Sequence, residues 1–287
     1  MMLRNLLLRN VPCKKVNTGL IKEFIEDGNT KRINFAIYHS NALQRVEDKE
    51  NIVGRLVLPF SDSFDPIAKS YMSTDNFLYA SKYNNNYYRQ IYSEEEYSQV
   101  ESFIEKIKDL VFLRDTLDLS VALSMHETEP EKRTPFGEHE FRVKYRSNQF
   151  DTTDDKVALV AEMQRRLEEL PYFKYADYIC AVPSSKPFMK DIIGDLDGFE
   201  FVDISDQVSW ENKSGSLKNV ETAEEKLNMI QLWGLQFGEK LDLKGKTVLL
   251  VDDMYQSGVT MQFIAMRMKE AGANRVFGMA LVKSLGN

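Results

Sequence analysis

From residue 151 to the C-terminus, short apolar runs alternate with segments whose apolar residues recur every three or four positions. Val160, Met163, Leu167 and Leu170 mark one face of a helix, which leads into the strand DYICAV (177–182). The loop PSSKP, a helical or irregular piece and the strand GFEFVDI (198–204) come next. Beyond the polar segment SWENKSGSLKNV (209–220) lie a helix carrying Leu227 and Ile230, the strand KTVLLV (246–251), a helix with Met261, Ile264, Ala265 and Met268 that stops at Gly272, and the strand RVFGMALV (275–282). This alternation predicts an α/β fold, a doubly wound parallel sheet.

The first third is organised differently. INFAIYHS (33–40) and GRLVLPF (54–60) have strand character, and Ser93 with Glu96 has capping-box spacing ahead of Val100, Phe103, Ile104, Ile107, Leu110 and Val111 at helical intervals. DLSVALSMH (118–126) and HEFRVKYR (139–146) both alternate like strands, and between them Pro130, Pro135 and Gly137 predict a long turn. The expected organisation is therefore an N-terminal α+β region, residues 1–115, followed by a domain over 116–287. The junction falls somewhere between Leu113 and Phe150.

Charge narrows the class. A net charge of −7 over 287 residues argues against a dedicated duplex-DNA surface. Tyrosines interleaved with Lys82 and Arg89 in residues 70–92 are read as ordinary half-buried strand aromatics, with base stacking on single-stranded nucleic acid as the alternative. The two cysteines, Cys13 and Cys180, form neither a disulfide framework nor a thiolate metal site, which fits a cytoplasmic chain. His39, His126 and His139 show no metal-ligand spacing. The apolar run in MMLRNLLLRN, broken by Arg4 and Arg9, is too short for an export signal, and no run is long enough to span a membrane.

The chemistry concentrates in VLLVDDMYQSGVT (248–260). An apolar strand that ends in two carboxylates places them at the C-terminal edge of a parallel sheet, where open α/β folds bind ligands. Gln256 to Thr260 then enter a helix, whose first N–H groups favour an anion, with the hydroxyls of Ser257 and Thr260 to help and Gly258 to allow close approach. Carboxylates and phosphate oxygens are both acceptors, so one phosphate does not fit both features. A sugar phosphate does, its hydroxyls donating to Asp252 and Asp253 while its phosphate lies in the loop. A response-regulator receiver is not expected, since that fold needs later Asp and Lys sites and 34 residues follow Asp253 here. A Walker-type magnesium site lacks its glycine-rich GxxxxGK[ST] partner.

VLLVDDMYQSGVT, continued by TMQFIAMRMKEAGANRVFGMALVKS, resembles the motif by which type I phosphoribosyltransferases bind 5-phosphoribosyl 1-pyrophosphate (PRPP). Over about residues 145–283, including ETAEEKLNMIQLWGLQF and LKGKTVLLVDD, the resemblance is to the ComF-like, competence-protein branch. The resemblance implies that Asp252 and Asp253 bind the ribose hydroxyls and that Gln256, Ser257, Gly258, Val259 and Thr260 bind the 5-phosphate. By position, Pro183, Ser184, Ser185 and Lys186 are the pyrophosphate loop. SWENKSGSLKNV stands where the family has a mobile catalytic loop, which makes Lys213 and Lys218 candidate catalytic cations beside Asp253. Magnesium is the implied cofactor, carried by PRPP and in reach of Asp252 and Asp253.

The implied activity is transfer of 5-phosphoribosyl from PRPP to an unidentified acceptor. The alternative is a PRPP- or nucleotide-sensing regulatory or DNA-process accessory protein on the same fold; a homo-oligomer or a protein partner is compatible with either reading. Departures are specific: Gln256-Ser257 stands for the usual Thr-Thr, SSKPFMKDII replaces an arginine-rich stretch, and the branch's four-cysteine zinc module has no counterpart. Taken singly, Lys186, Lys213 and Lys218 are equally consistent with solvated surface charge.

Overall fold

The computed structural model describes residue 8 and residues 10–36, 42–46, 51–217 and 220–286. Arg4 and Arg9 of the N-terminal apolar stretch, His39 and Lys218 lie outside these. Among the described residues the N-terminal part contains α1 (Thr18–Glu26), β1 (Arg32–Ile33), β2 (Leu43–Arg45), β3 (Gly54–Leu58), α2 (Phe64–Met72), β4 (Tyr79–Ala80), β5 (Tyr87–Ile91), α3 (Glu94–Ile107) and β6 (Val111–Leu113). Then follow β7 (Leu119–Met125), β8 (Glu127–Glu129), β9 (Lys132–Arg133), α4 (Pro135–Arg146), α5 (Thr153–Glu169) and β10 (Tyr178–Ala181). The C-terminal part holds α6 (Phe188–Gly194), β11 (Val202–Asp203), β12 (Val208–Trp210), α7 (Ala223–Trp233), β13 (Leu235–Phe237), β14 (Thr247–Tyr255), α8 (Val259–Glu270) and β15 (Arg275–Lys283).

A seven-stranded sheet in the order β1-β6-β7-β15-β14-β10-β11 forms the centre. β7, β15, β14, β10 and β11 run parallel, and β6 joins antiparallel to both β7 and β1. The expected mixed α/β architecture with a mostly parallel sheet is what the chain adopts. β14 and β15 are apolar almost throughout because both sheet faces are covered. One face packs on α2, α3, α5 and α6 through residues such as Phe64, Phe103, Leu159 and Ile192. The other packs on α1, α7 and α8 through Ile21, Ile230 and Ile264.

The stretch before residue 116 is built into this body. β1 and β6 are strands of the central sheet, so the junction expected near 115 falls in the turn between the neighbouring strands β6 and β7. Phe64 of α2 meets Phe112 of β6 edge-on with ring centres 5.1 Å apart, and it also contacts Phe35, Phe77 and Phe103. Each such ring pair contributes roughly 0.5–1.5 kcal/mol beyond the area it buries. A separate four-stranded antiparallel sheet, β2-β3-β5-β4, carries the tyrosine-rich strands.

Two local expectations are corrected. HEFRVKYR is not a strand: it forms most of α4, and the preceding turn carries the small β8–β9 hairpin. The helix wins because Thr134 caps it, its hydroxyl accepting from the Gly137 N–H at 2.9 Å, and Pro135 occupies the first turn, where its missing N–H costs nothing. GFEFVDI pairs only over Val202–Asp203. The cap at Ser93 forms as expected, accepting from the Glu96 N–H at 3.1 Å, but Glu96 turns its carboxylate to Arg89 and to the Tyr92 N–H.

Candidate functional site

β10 pairs with β14 only as far as Ala181 opposite Val251, and the Val182 N–H closes the ladder on the Val251 carbonyl. β14 continues to Tyr255, held by β15 alone on that side, with Asp252 opposite Ala280. From β10 the chain passes outward to β11, and from there it returns to β14 on the other flank of β10. The C-terminal ends of β10 and β14 therefore bound a crevice where the strand order reverses, the usual ligand position in open α/β sheets. The pyrophosphate-loop candidates Pro183–Lys186 leave from one wall, and the acid pair and Gln256–Thr260 from the other.

The acids lie partly sheltered at the end of this apolar strand. The Asp253 N–H donates to Asp252 Oδ1 at 2.9 Å. Burial, and then the charge of Asp253, push the Asp252 carboxyl well above the usual carboxylate range, against the pull of Lys144 and Lys213. Asp253 Oδ2 is 2.6 Å from the Lys144 ammonium.

The loop after the acids is shaped by one glycine. Gly258 is the N-cap of α8 with φ +74°, and a Cβ there would overlap the Tyr255 hydroxyl. Having no side chain, it leaves the first N–H groups of α8 uncapped, the arrangement that favours an anion. Gln256–Met261 with Asp252, Met254, Tyr255, Leu217 and Lys226 enclose a cavity of 100 Å³. Tyr255 is fixed from below: its hydroxyl donates to buried Asp115 Oδ2 at 2.8 Å, and the Leu117 N–H donates to Oδ1 at 2.9 Å.

On the opposite wall a cleft of 420 Å³ is lined by Pro183, Ser184, Ser185, Lys190, Trp210 and Lys213 among others. The Pro183 carbonyl accepts from Trp210 Nε1 at 3.0 Å and from Lys213 Nζ at 3.3 Å. Lys213 also lies over the Trp233 ring, 5.3 Å from its centre. Its burial lowers its affinity for a proton, and Asp252 and Asp253 oppose that effect. Lys186 is turned away from this cleft toward α4, donating to the Lys144 carbonyl at 2.8 Å.

The structure thus brings together Asp252, Asp253, Gln256–Thr260, Pro183–Ser185 and Lys213 around one crevice and leaves Lys186 at its rim. Sequence reasoning missed Lys144, Glu140, Lys226, Trp210 and Asp115. Lys226 in ETAEEKLNMIQLW, Trp210 in SWENKSGSLKNV, and Glu140 and Lys144 in HEFRVKYR lay in stretches singled out for other reasons, while Asp115 lay in no quoted stretch. Of the two residues weighed as alternative nucleic-acid contacts, Arg89 is engaged with Glu96 at 2.5 Å and stacks over Phe77, so its charge is already matched.

Comparison with known proteins covers the strands that bound this crevice. Residues 179–284 match the family model of a phosphoribosyl transferase domain, a span running from β10 through the end of β15. The match supports the type I phosphoribosyltransferase superfamily for that span. Among curated proteins, none matches the chain. Among the described residues no helix is long and apolar enough to cross a membrane.

Proposed function

We propose that the crevice binds PRPP and that the protein transfers its 5-phosphoribosyl group to an acceptor, releasing pyrophosphate. The observation that carries this reading is the adjacency of two carboxyl groups able to accept from hydroxyls and an uncapped, glycine-started helix on one continuous strand–loop, because a sugar phosphate can use both at once. Asp252 and Asp253 accept from the ribose hydroxyls. The N–H groups and hydroxyls of Gln256–Thr260 take the 5-phosphate, with Lys226 on the wall of that cavity. Pro183–Lys186 hold the pyrophosphate end.

In the step itself the bond from ribose C1 to pyrophosphate oxygen breaks, pyrophosphate leaves with the electron pair, and the acceptor's nucleophile bonds to C1 as it loses its proton. Positive charge grows on the ribose and negative charge on the leaving group, so fixed cations near Pro183–Ser185 are where catalysis is supplied. Lys213 already sits there on the Pro183 carbonyl. Magnesium, when bound, would supply further charge neutralisation on pyrophosphate oxygens. Asp253 is a poor direct ligand for it because its Oδ2 already holds the Lys144 ammonium.

The second reading, a PRPP or nucleotide sensor without turnover, keeps the same pocket and is favoured by SSKPFMKDII standing at the pyrophosphate loop in place of an arginine-rich stretch, which leaves fewer fixed cations for the leaving group. The two readings separate in one assay: pyrophosphate release from PRPP against a panel of nucleobase acceptors. The enzyme reading expects release, slowed about tenfold or more by Lys213→Ala with PRPP affinity largely kept. Binding without release from any acceptor supports the sensor.

A further inference from the structure

α4 lies outside the span that matches the family model, yet it reaches the acid pair. Gly137 sits in its first turn, and a Cβ there would overlap the His126 carbonyl just after β7, so the helix can cross close over the ends of β7 and β15. Residues 137, 140 and 144 share one helical face. Glu140, with no exposed surface, and Lys144, 15% exposed, thereby come to lie above the C-terminal edge of the sheet.

The Lys144 ammonium stands 2.6 Å from Asp253 Oδ2 and 3.5 Å from Glu140 Oε1. Burial opposes the charge on Lys144, but Asp253 and Glu140 outweigh burial and raise its affinity for the proton above that of an ordinary lysine. His126 Nε2 approaches Glu140 Oε2 from the other side at 3.5 Å. Neither Glu140 oxygen has a hydrogen-bond partner, which leaves the nearby lysine charge as the main compensation for burying that carboxylate. A divalent ion placed directly on Asp253 would meet an ammonium at contact distance in a sheltered site, where like charges repel strongly.

We infer that Lys144 is the resident cation of the ribose subsite, neutralising Asp253 from a helix that the family motif does not contain, so that ribose 5-phosphate binds there without a divalent metal ion on the acids. The inference rests on the reading of the crevice as a ribose-phosphate site. It assigns Lys144 a positioning role: by holding Asp253 it fixes the acceptor geometry that the ribose hydroxyls meet.

The test is titration calorimetry with D-ribose 5-phosphate, which lacks pyrophosphate and so does not carry magnesium into the site on that group. It is run in magnesium and in EDTA on wild type, Lys144→Met and Lys144→Arg. Wild-type affinity should agree within about twofold between the two buffers, Lys144→Arg should stay within about threefold, and Lys144→Met should weaken binding about tenfold or more in EDTA with partial recovery in magnesium. Because Lys144→Met strands two carboxylates, the charge-balanced Lys144→Met/Glu140→Gln variant is titrated beside it and replaces it if the single variant does not fold; the same loss is expected. Wild-type binding that collapses in EDTA, or methionine variants that bind like wild type, overturns the inference alone. Absence of wild-type binding in both buffers overturns the ribose-phosphate reading and the inference with it.

Discussion

The span 179–284 and the chain before it meet at the same crevice but contribute in different ways. The matched span supplies the groups proposed to face the ligand: the acid pair, the glycine-started helix and the two loops. The preceding chain supplies groups that face the protein: Asp115 under Tyr255, and Lys144 with Glu140 behind Asp253. A ligand-binding motif can thus be complete in sequence while its electrostatic support lies elsewhere in the fold.

The most disruptive way to break this comparison is to separate the two regions. Residues 116–287 expressed alone lose β1 and β6, which cover the edge of β7, and the aromatic cluster around Phe64 and Phe112. These losses should exceed the roughly 5–15 kcal/mol of net stability available to a folded domain. No cooperative thermal transition is expected for the fragment by calorimetry, and a sharp transition near that of the full chain would show the regions to be independent.

A milder cut removes one support. Asp115 is fully buried, and burial holds its carboxyl above the usual range even with Lys14 and the Tyr255 hydroxyl opposing. Tyr255→Phe deletes that donor and should cost about 1–3 kcal/mol in urea unfolding. It should also weaken phosphate-ester binding, because the ring of Tyr255 underlies Gly258. Unchanged stability and affinity would mean that the contact is incidental.

The effect confined to one pH window is the most diagnostic of the charge behind the acids. Burial pushes Glu140 up from 4.5 to about 7, with Lys144 pulling it down and Asp253 adding to the rise. The unfolded chain therefore releases this proton near 4.5 while the folded chain keeps it until about 7, so this residue subtracts stability as pH rises through that window. Glu140→Gln has no proton to release. It should match wild type near pH ~4 and exceed it by roughly 2–3 kcal/mol near pH ~8 in denaturant titrations, a difference that should be absent if the carboxylate is well solvated.

Much of the matched span was legible because its signals are local. Apolar runs of strand length marked β10, β14 and β15, and the step from Val251 to Asp252 marked the sheet edge without any tertiary information. The supports were not legible in the same way. Asp115 and Lys144 are single residues whose meaning depends on partners 140 and 109 positions away, a separation that no local pattern encodes. HEFRVKYR misled because Phe141, Val143 and Tyr145 alternate like a strand, although Thr134-Pro135 just ahead carried the helix-start signal. With that helix read correctly, Glu140 and Lys144 fall one turn apart on a shared face.

The central claim is that Asp252 and Asp253, together with the loop Gln256–Thr260, hold the ribose 5-phosphate part of PRPP. Titration calorimetry with PRPP and magnesium on wild type and on Asp252→Asn/Asp253→Asn tests it directly. Wild type should bind, and the double variant should lose about a hundredfold or more in affinity, close to 2.7 kcal/mol, while keeping its fold. Equal affinity in the two proteins, or no binding by wild type, would contradict the assignment.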